Sequence, residues 1–181
     1  METTPHNTLW TIGHSTHSIE TFIEMLQAAD IQILADIRRL PGSRKYPHFN
    51  QEELELTLSR HGIRYVYIPE LTGRRKVQPG SQNTAWRNRS FQGYADYMET
   101  SEFMHGVNTL MRIAEEYRTA IMCAEAVWWR CHRSMVADYF KSVGWTVIHI
   151  TGVNQSRLHP YTGAANVSEG KLNYHPSPSD K

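Results

Sequence analysis

The stretch "AIMCAEAVWWRCHRSMVADYF", residues 120–140, gathers Cys123, Glu125, Arg130, Cys131, His132 and Arg133 where an apolar strand-like run gives way to a helical pattern. The two cysteines are the only ones in the 181-residue chain. The first turn of a helix carries unpaired N–H groups and the positive end of the helix dipole, so it favours an anion. A cysteine set there beside Arg130, His132 and Arg133 is expected to have a lowered pKa and thiolate character. Cys131 therefore reads as a nucleophilic or redox group, or as one wall of an anion cradle. The plainer alternative is a small buried residue beside an arginine that closes a structural ion pair. Cys123 lies inside the apolar run, where free cysteine commonly serves as a hydrophobe. Glu125 reads as a general base, or as the carboxylate partner of Arg133 or Arg38. Two arginines beside it would hold it ionised, which suits orienting a group more than moving its proton.

Two other turns carry related chemistry. In "TIGHS", His14 and Ser15 follow Gly13 at the end of a β-rich run. His14 reads as an acid/base group or a substrate hydrogen-bonder, with a satisfied turn histidine as the alternative. Asp36 and Arg38 flank Ile37 at the end of "IQILADIR", so both can point to one side of a strand. With Ser43 and Arg44 in "RRLPGSRKYP", Arg38 suits a phosphate or carboxylate, which arginine grips through two parallel hydrogen bonds. A solvated loop is the alternative there. Trp86, Trp128 and Trp129 offer stacking surfaces near these cations, a combination that fits a nucleobase-bearing ligand. Tryptophans of this kind also serve as core.

Several chemistries are disfavoured by spacing. Cys123, Glu125, Cys131 and His132 are all metal-ligand types, but the cysteines are eight apart and no second pair exists, so no metal site is expected. The glycine patterns of a dinucleotide fingerprint or a phosphate-binding P-loop are absent, and no cofactor is expected. A phosphatase-like Cys-x5-Arg loop fails too, because Arg130 falls one residue too far from Cys123. A formal charge of +1 provides no overall field toward nucleic acid or an anionic membrane. No apolar run approaches the ~20 residues of a membrane helix. "METTPHNTLW" does not read as a signal peptide, and two cysteines make a poor disulfide framework, so a reduced, cytoplasmic setting is expected.

The surrounding elements must bring these turns together. "TLWTIG", "IQILAD", "IRYVYIP", "TAIMCA" and "WTVIHI" read as strands. Between them, "SIETFIEMLQAAD", "FNQEELELTLSRHG", "EFMHGVNTLMRIAEEY" and "RSMVADYFKSVG" have helical periodicity, with Ser18 as an N-cap and Gly62 as a C-terminal stop. Strand–helix alternation predicts one α/β domain over residues 1–151. Its mainly parallel sheet of about five strands carries helices on both faces, a Rossmann-like open sheet. In such sheets the site lies outside the carboxyl ends of the strands, which is where His14, Arg38, Glu125 and Cys131 fall. The aperiodic, arginine-rich segment from Glu70 to Arg89 exceeds an ordinary connection, and its Arg74–Arg89 loop is expected to be mobile without ligand and to act as a lid or a second anion contact. Residues 152–181, rich in Gly, Asn, Ser and Pro, are expected to form an irregular tail.

The ordered set "TIGHS", "ADIRRLPGSRKYPHFN", "YIPELTGRRK", "FQGYADYM" and "CAEAVWWRCHRSMVADYF" resembles the domain-of-unknown-function 488 family from about Leu9 to Ile150. The resemblance implies a compact α/β domain. It also makes His14, Ser15, Asp36, Arg38, Pro41, Cys123, Glu125, Cys131, His132 and Arg133 the family-characteristic positions, and it supplies no activity. One departure is Leu71-Thr72-Gly73, where the family pattern has Leu-Gly-Gly. The functional expectation is an anion-binding pocket in an enzyme acting on a phosphorylated or nucleotide-like small molecule. Cys131, Glu125 and His14 are the chemical groups. Ser15, Asp36, Arg38, Ser43, Arg44, His132 and Arg133 hold the anion. The alternative is a non-catalytic module that binds a nucleotide or a nucleic-acid end.

Overall fold

The five β-rich runs become five parallel strands in the computed structural model, which describes residues 7–42 and 44–178. They are β1 (Thr8–Gly13), β2 (Ile33–Asp36), β3 (Arg64–Tyr67), β4 (Thr119–Cys123) and β5 (Thr146–Gly152). Their order in the sheet is β3-β2-β4-β1-β5. Successive strand side chains alternate between faces. Leu9, Ala35, Ile121 and Val147 enter one core, and Trp10, Ile12, Leu34, Ala120 and Met122 enter the other.

Each core is closed by helices with one apolar stripe. α1 (Ile19–Ala28) buries Phe22, Ile23, Met25 and Leu26, and its N-cap Ser18 accepts from the Thr21 N–H. α2 (Gln51–Arg60) buries Leu54 and Leu58, and the chain leaves it through Gly62 in the left-handed region. These two helices cover the Trp10 face. α3 (Arg89–Tyr97), α4 (Ser101–Glu116) and α5 (Arg133–Ser142) cover the Leu9 face through Tyr94, Phe103, Val107, Leu110, Val136 and Phe140. This is the expected single-domain, Rossmann-like open sheet.

Three regions differ from the sequence reading. α3 was not expected; Asn88 caps it by accepting from the Ser90 and Phe91 N–H groups. The segment before it packs on α3 through specific contacts. The Asp96 carboxylate accepts from the Gln78 N–H, the Ser81 hydroxyl and the Asn83 amide, while the Arg75 guanidinium lies 3.7 Å over the Tyr97 ring. Residues 152–178 are not simply irregular either. β6 (Gln155–Leu158) returns antiparallel to β5 at the sheet edge, and β7 (Asn166–Ser168) pairs with β8 (Lys171–Asn173). Beyond them Tyr174 is buried against the main core. No helix among the described residues is long and apolar enough to cross a membrane.

The topology singles out one place. β1 and β4 are neighbours, yet β1 runs into α1 on one face and β4 runs into α5 on the other. The two connections diverge above the strand ends and open a crevice at this switch point.

Candidate functional site

At that switch point Gly13 ends β1 directly beside Cys123 at the end of β4. The pairing continues into the turns: the His14 N–H donates to the Cys123 carbonyl at 3.0 Å and the Ser15 N–H to that of Ala124 at 2.9 Å. Ser15 is held at φ 46° and Arg74 at φ 59°. Non-glycine residues in this region cost of order 1–3 kcal/mol each. Both face a cavity of about 570 Å³ outside the carboxyl ends of β1, β2 and β4. His14, Ser15, Arg38, Glu125, Cys131 and His132 line it, so the turns from three strands do share one pocket. Arg39, Arg74 and Arg130 add cations, and Tyr46, Phe91 and Tyr94 add aromatic wall.

Arg133 is not in the pocket. It starts α5 but turns inward under the Cys123–Cys131 turn and is only 1% exposed. Its Nε donates to Cys123 Sγ at 3.0 Å and Nη1 to Thr11 Oγ1 at 2.8 Å. Its Nη2 donates to the backbone carbonyls of Glu125 (2.9 Å) and Ala126 (3.1 Å). Thus Arg133 grips the main chain of residues 125–126, not the Glu125 carboxylate, and the exposed Glu125 side chain stays at the pocket. Arg38 is not Glu125's partner either. It forms a forked ion pair with Asp36, Nη2 to Oδ2 at 2.8 Å and Nε to Oδ1 at 3.0 Å, and the Tyr65 hydroxyl also donates to Asp36. Asp36 is fully buried behind the pocket and serves to aim Arg38 into it.

The thiols are unequal. Burial pushes Cys123 well above its ordinary value, and the neighbouring Cys131 adds to the rise. Burial also pushes Cys131 up, but the bond from the Cys123 thiol, the Arg133 guanidinium and the Arg133 backbone N–H outweigh it and hold Cys131 below an ordinary thiol. The direction follows from geometry, since two adjacent thiolates would repel and only Cys131 sits at the helix N-terminus. His132 contributes a fixed acceptor. Its Nε2–H donates to the Ile37 carbonyl at 3.0 Å, leaving the lone pair on Nδ1 facing Cys131 Sγ at 3.4 Å. Gly73 packs on this ring, and a Cβ there would meet His132 Nδ1 at 2.7 Å. The departure at Leu71-Thr72-Gly73 therefore keeps the glycine that the close approach requires.

His14 stacks on Phe49 with ring centroids 4.4 Å apart, and its Nδ1–H donates to the Ser15 carbonyl. Burial, with the Arg38 charge, lowers its pKa from 6.5 to about 4, so at neutral pH it presents Nε2 as an acceptor. The unfolded chain takes up this proton near pH 6.5 while the fold resists it until about 4. Stability is therefore expected to fall as pH drops through that window. Burial also lowers His132 and brings His149 to about 2, with the same sign. Thermal midpoints measured from pH 7 to pH 4 should show the decline, and His14→Asn should flatten it; an equal slope in the variant would refute the assignment.

Some expected residues lie elsewhere. Arg44 lines an adjoining depression with Pro41, Pro47 and Asn50, which shares Leu40 and Gly42 with the pocket, and Ser43 lies outside the described residues. None of Trp86, Trp128 and Trp129 lines the pocket. Trp128 instead stacks on His149 at 4.4 Å, and Trp86 packs on Phe91 and Tyr174. Sequence reasoning missed Arg39 and the aromatic wall of Tyr46, Phe91 and Tyr94. Arg39 and Tyr46 were signalled only by the cation-rich run "RRLPGSRKYP", and Phe91 and Tyr94 lie in "FQGYADYM", whose polar residues hid its helix. Among the described residues no group of three or more His, Cys, Asp or Glu is arranged to hold a metal ion.

Residues 18–140 match the family model described as domain of unknown function DUF488. No curated protein and no solved structure matches the chain. The matched stretch exceeds half of the sequence and holds Asp36, Arg38, Glu125, Cys131, His132 and Arg133, while Gly13, His14 and Ser15 precede it. A match of that extent means that the chain belongs to the DUF488 family.

Proposed function

We propose that the protein is a thiol-dependent enzyme that transfers or hydrolyses the phosphoryl group of a small phosphorylated or nucleotide-like molecule. The observation that carries this reading is the Cys131 thiol, set at the N-terminus of α5 with His132 Nδ1 at 3.4 Å, in a pocket bearing Arg39, Arg74 and Arg130. The arginines hold the phosphoryl oxygens, and Tyr46, Phe91 and Tyr94 face the apolar part of the ligand. Nδ1 of His132 takes the thiol proton, and Sγ attacks phosphorus as the bond to the leaving oxygen breaks. The imidazolium returns the proton to that oxygen. Glu125 then takes a proton from the water or alcohol that attacks phosphorus and frees Sγ. Such a thiol must stay reduced, which suits the cytoplasm, and the scheme needs no cofactor.

Alkylation by iodoacetamide, read residue by residue by mass spectrometry, tests this. At pH 7, Cys131 should react ~10-fold or more faster than Cys123, with a midpoint below the ordinary thiol value of about 8.5. Adenosine monophosphate should protect it, and Cys131→Ser should abolish phosphate release from the same compound. Equal reactivity of the two cysteines refutes the tuned thiol. Protection without turnover or a phosphocysteine adduct would instead establish the non-catalytic nucleotide-binding reading.

A further inference from the structure

Behind the pocket, a single file of hydrogen bonds crosses the core from Arg133 to the C-terminal segment. Arg133 Nη1 meets Thr11 Oγ1 at 2.8 Å, Thr11 Oγ1 meets His149 Nδ1, His149 Nε2 meets His159 Nδ1 at 2.8 Å, and His159 Nε2 meets Asp138 Oδ1 at 2.8 Å. Thr11, His149, His159, Asp138 and Arg133 are each at most 1% exposed. Asp138 also accepts from the Thr162 N–H, the Thr162 hydroxyl and the Tyr174 hydroxyl, so its acceptor sites are filled.

The two ends fix the direction of every proton between them. Arg133 can only donate, and the Asp138 carboxylate can only accept. Thr11 must turn a lone pair to Arg133, which commits its O–H to His149 Nδ1. His149 then carries its proton on Nε2 and gives it to His159 Nδ1, and His159 carries its proton on Nε2 and gives it to Asp138. In this one arrangement each donor meets an acceptor. It links a buried guanidinium to a buried carboxylate through three neutral, aligned groups. Trp128, stacked parallel on His149 at 4.4 Å, covers the middle of the file from the cysteine turn itself.

We infer that His149, His159 and Asp138 are positioning residues for the reactive thiol: through Thr11 they hold the Arg133 guanidinium against Cys123 and beneath Cys131. This rests on the reading of Cys131 as the reacting group. Of the linking residues, Thr11, His149, His159, Thr162 and Tyr174 lie outside the stretch that matches the family, so the device is built by parts of the chain that flank it. Loss of His159 as an acceptor lets His149 move its proton to Nδ1. Thr11 would then face two donors with no place for its own proton, and Arg133 would lose its fixed seat.

Two measurements on the full-length protein decide. In the wild type, long-range ¹⁵N–¹H spectra at pH 7 should show His149 and His159 both neutral with the proton on Nε2. A proton on Nδ1 of either, or a charged His149, overturns the inference without any variant. In the second, His159→Leu should raise the midpoint of Cys131 alkylation by about one pH unit and slow it ~10-fold at pH 7. His159→Gln offers an acceptor and a donor at the spacing of the two ring nitrogens and should restore most of the rate. Folded His159→Leu protein with wild-type Cys131 kinetics overturns the inference while leaving the thiol reading intact. A wild-type Cys131 that is no more reactive than Cys123 overturns the thiol reading instead, and the tautomers still report on the file.

Discussion

Replacing Arg133 with methionine is expected to cost roughly 2–3 kcal/mol of folding stability. Two effects compete. Burying a guanidinium without an adjacent carboxylate is expensive, so a hydrophobe of similar volume relieves part of that cost. Against this, the substitution strands Thr11 Oγ1 and the carbonyls of Glu125 and Ala126, all of which Arg133 satisfies at 2.8–3.1 Å. An abandoned buried acceptor costs about 1–3 kcal/mol. The full cost falls on Thr11 Oγ1, which is buried, and a smaller one on the two carbonyls, whose residues are exposed and within reach of water; together these losses still outweigh the relief. Arg133→Lys keeps the charge but not the fork that serves three directions at once, and should recover less than half of the loss. Urea unfolding of both variants gives the numbers. A methionine variant within about 1 kcal/mol of wild type would show that the turn does not depend on the guanidinium.

That Arg133 braces the turn rather than binding a ligand was not legible in "RCHRS". A helix N-terminus tells which residue types favour it, but one residue's rotation about the axis decides whether an arginine faces the crevice or the sheet. Here Cys131 and His132 face the pocket, and Arg133 goes under it. The parallel strands were legible as short apolar runs buried on both faces, and the helices α1, α2, α4 and α5 by their apolar periodicity. The pocket was legible for a related reason: a parallel sheet places its turns at one edge, so His14, Arg38, Glu125 and Cys131 had to gather. α3 escaped because its buried positions include Gln92, Gly93 and Asp96, which blur the apolar stripe. β6 escaped because all four of its residues are exposed and only pairing with β5 defines it.

The file to Asp138 did leave a trace. Val147 and His149 lie two apart on β5, so His149 occupies a position that points into the core. Met135 and Asp138 lie three apart on α5, and both are fully buried. A histidine and an aspartate on core-facing positions of neighbouring elements signal a buried polar network, because neither is buried at low cost without partners. The third member, His159, could not be inferred this way, since its place depends on the turn from β5 into β6.

Gly13→Ala is expected to be the most disruptive small substitution at the site. Gly13 does not have a positive φ, so its importance is one of space, not of backbone freedom. An added Cβ would lie 1.7 Å from the Glu125 carbonyl oxygen, 2.6 Å from its carbon and 2.9 Å from Arg133 Nη2. The first two are backbone atoms that cannot swing aside, and the third already bonds that same carbonyl at 2.9 Å. The turn must therefore lift away from β1, which breaks the Arg133 clasp and the pairing of His14 and Ser15 with Cys123 and Ala124. A loss of about 3 kcal/mol or more is expected from overpacking and lost hydrogen bonds together. Gly163→Ala is the control, because its added Cβ would meet nothing within 4 Å, and it should stay within about 0.5 kcal/mol of wild type. The two effects of Gly13→Ala should travel together: lower stability in urea, and a Cys131 alkylation midpoint shifted up toward that of an ordinary thiol. If Gly13→Ala unfolds with Gly163→Ala and keeps wild-type Cys131 reactivity, the tight seat of the turn on β1 is not what tunes the thiol.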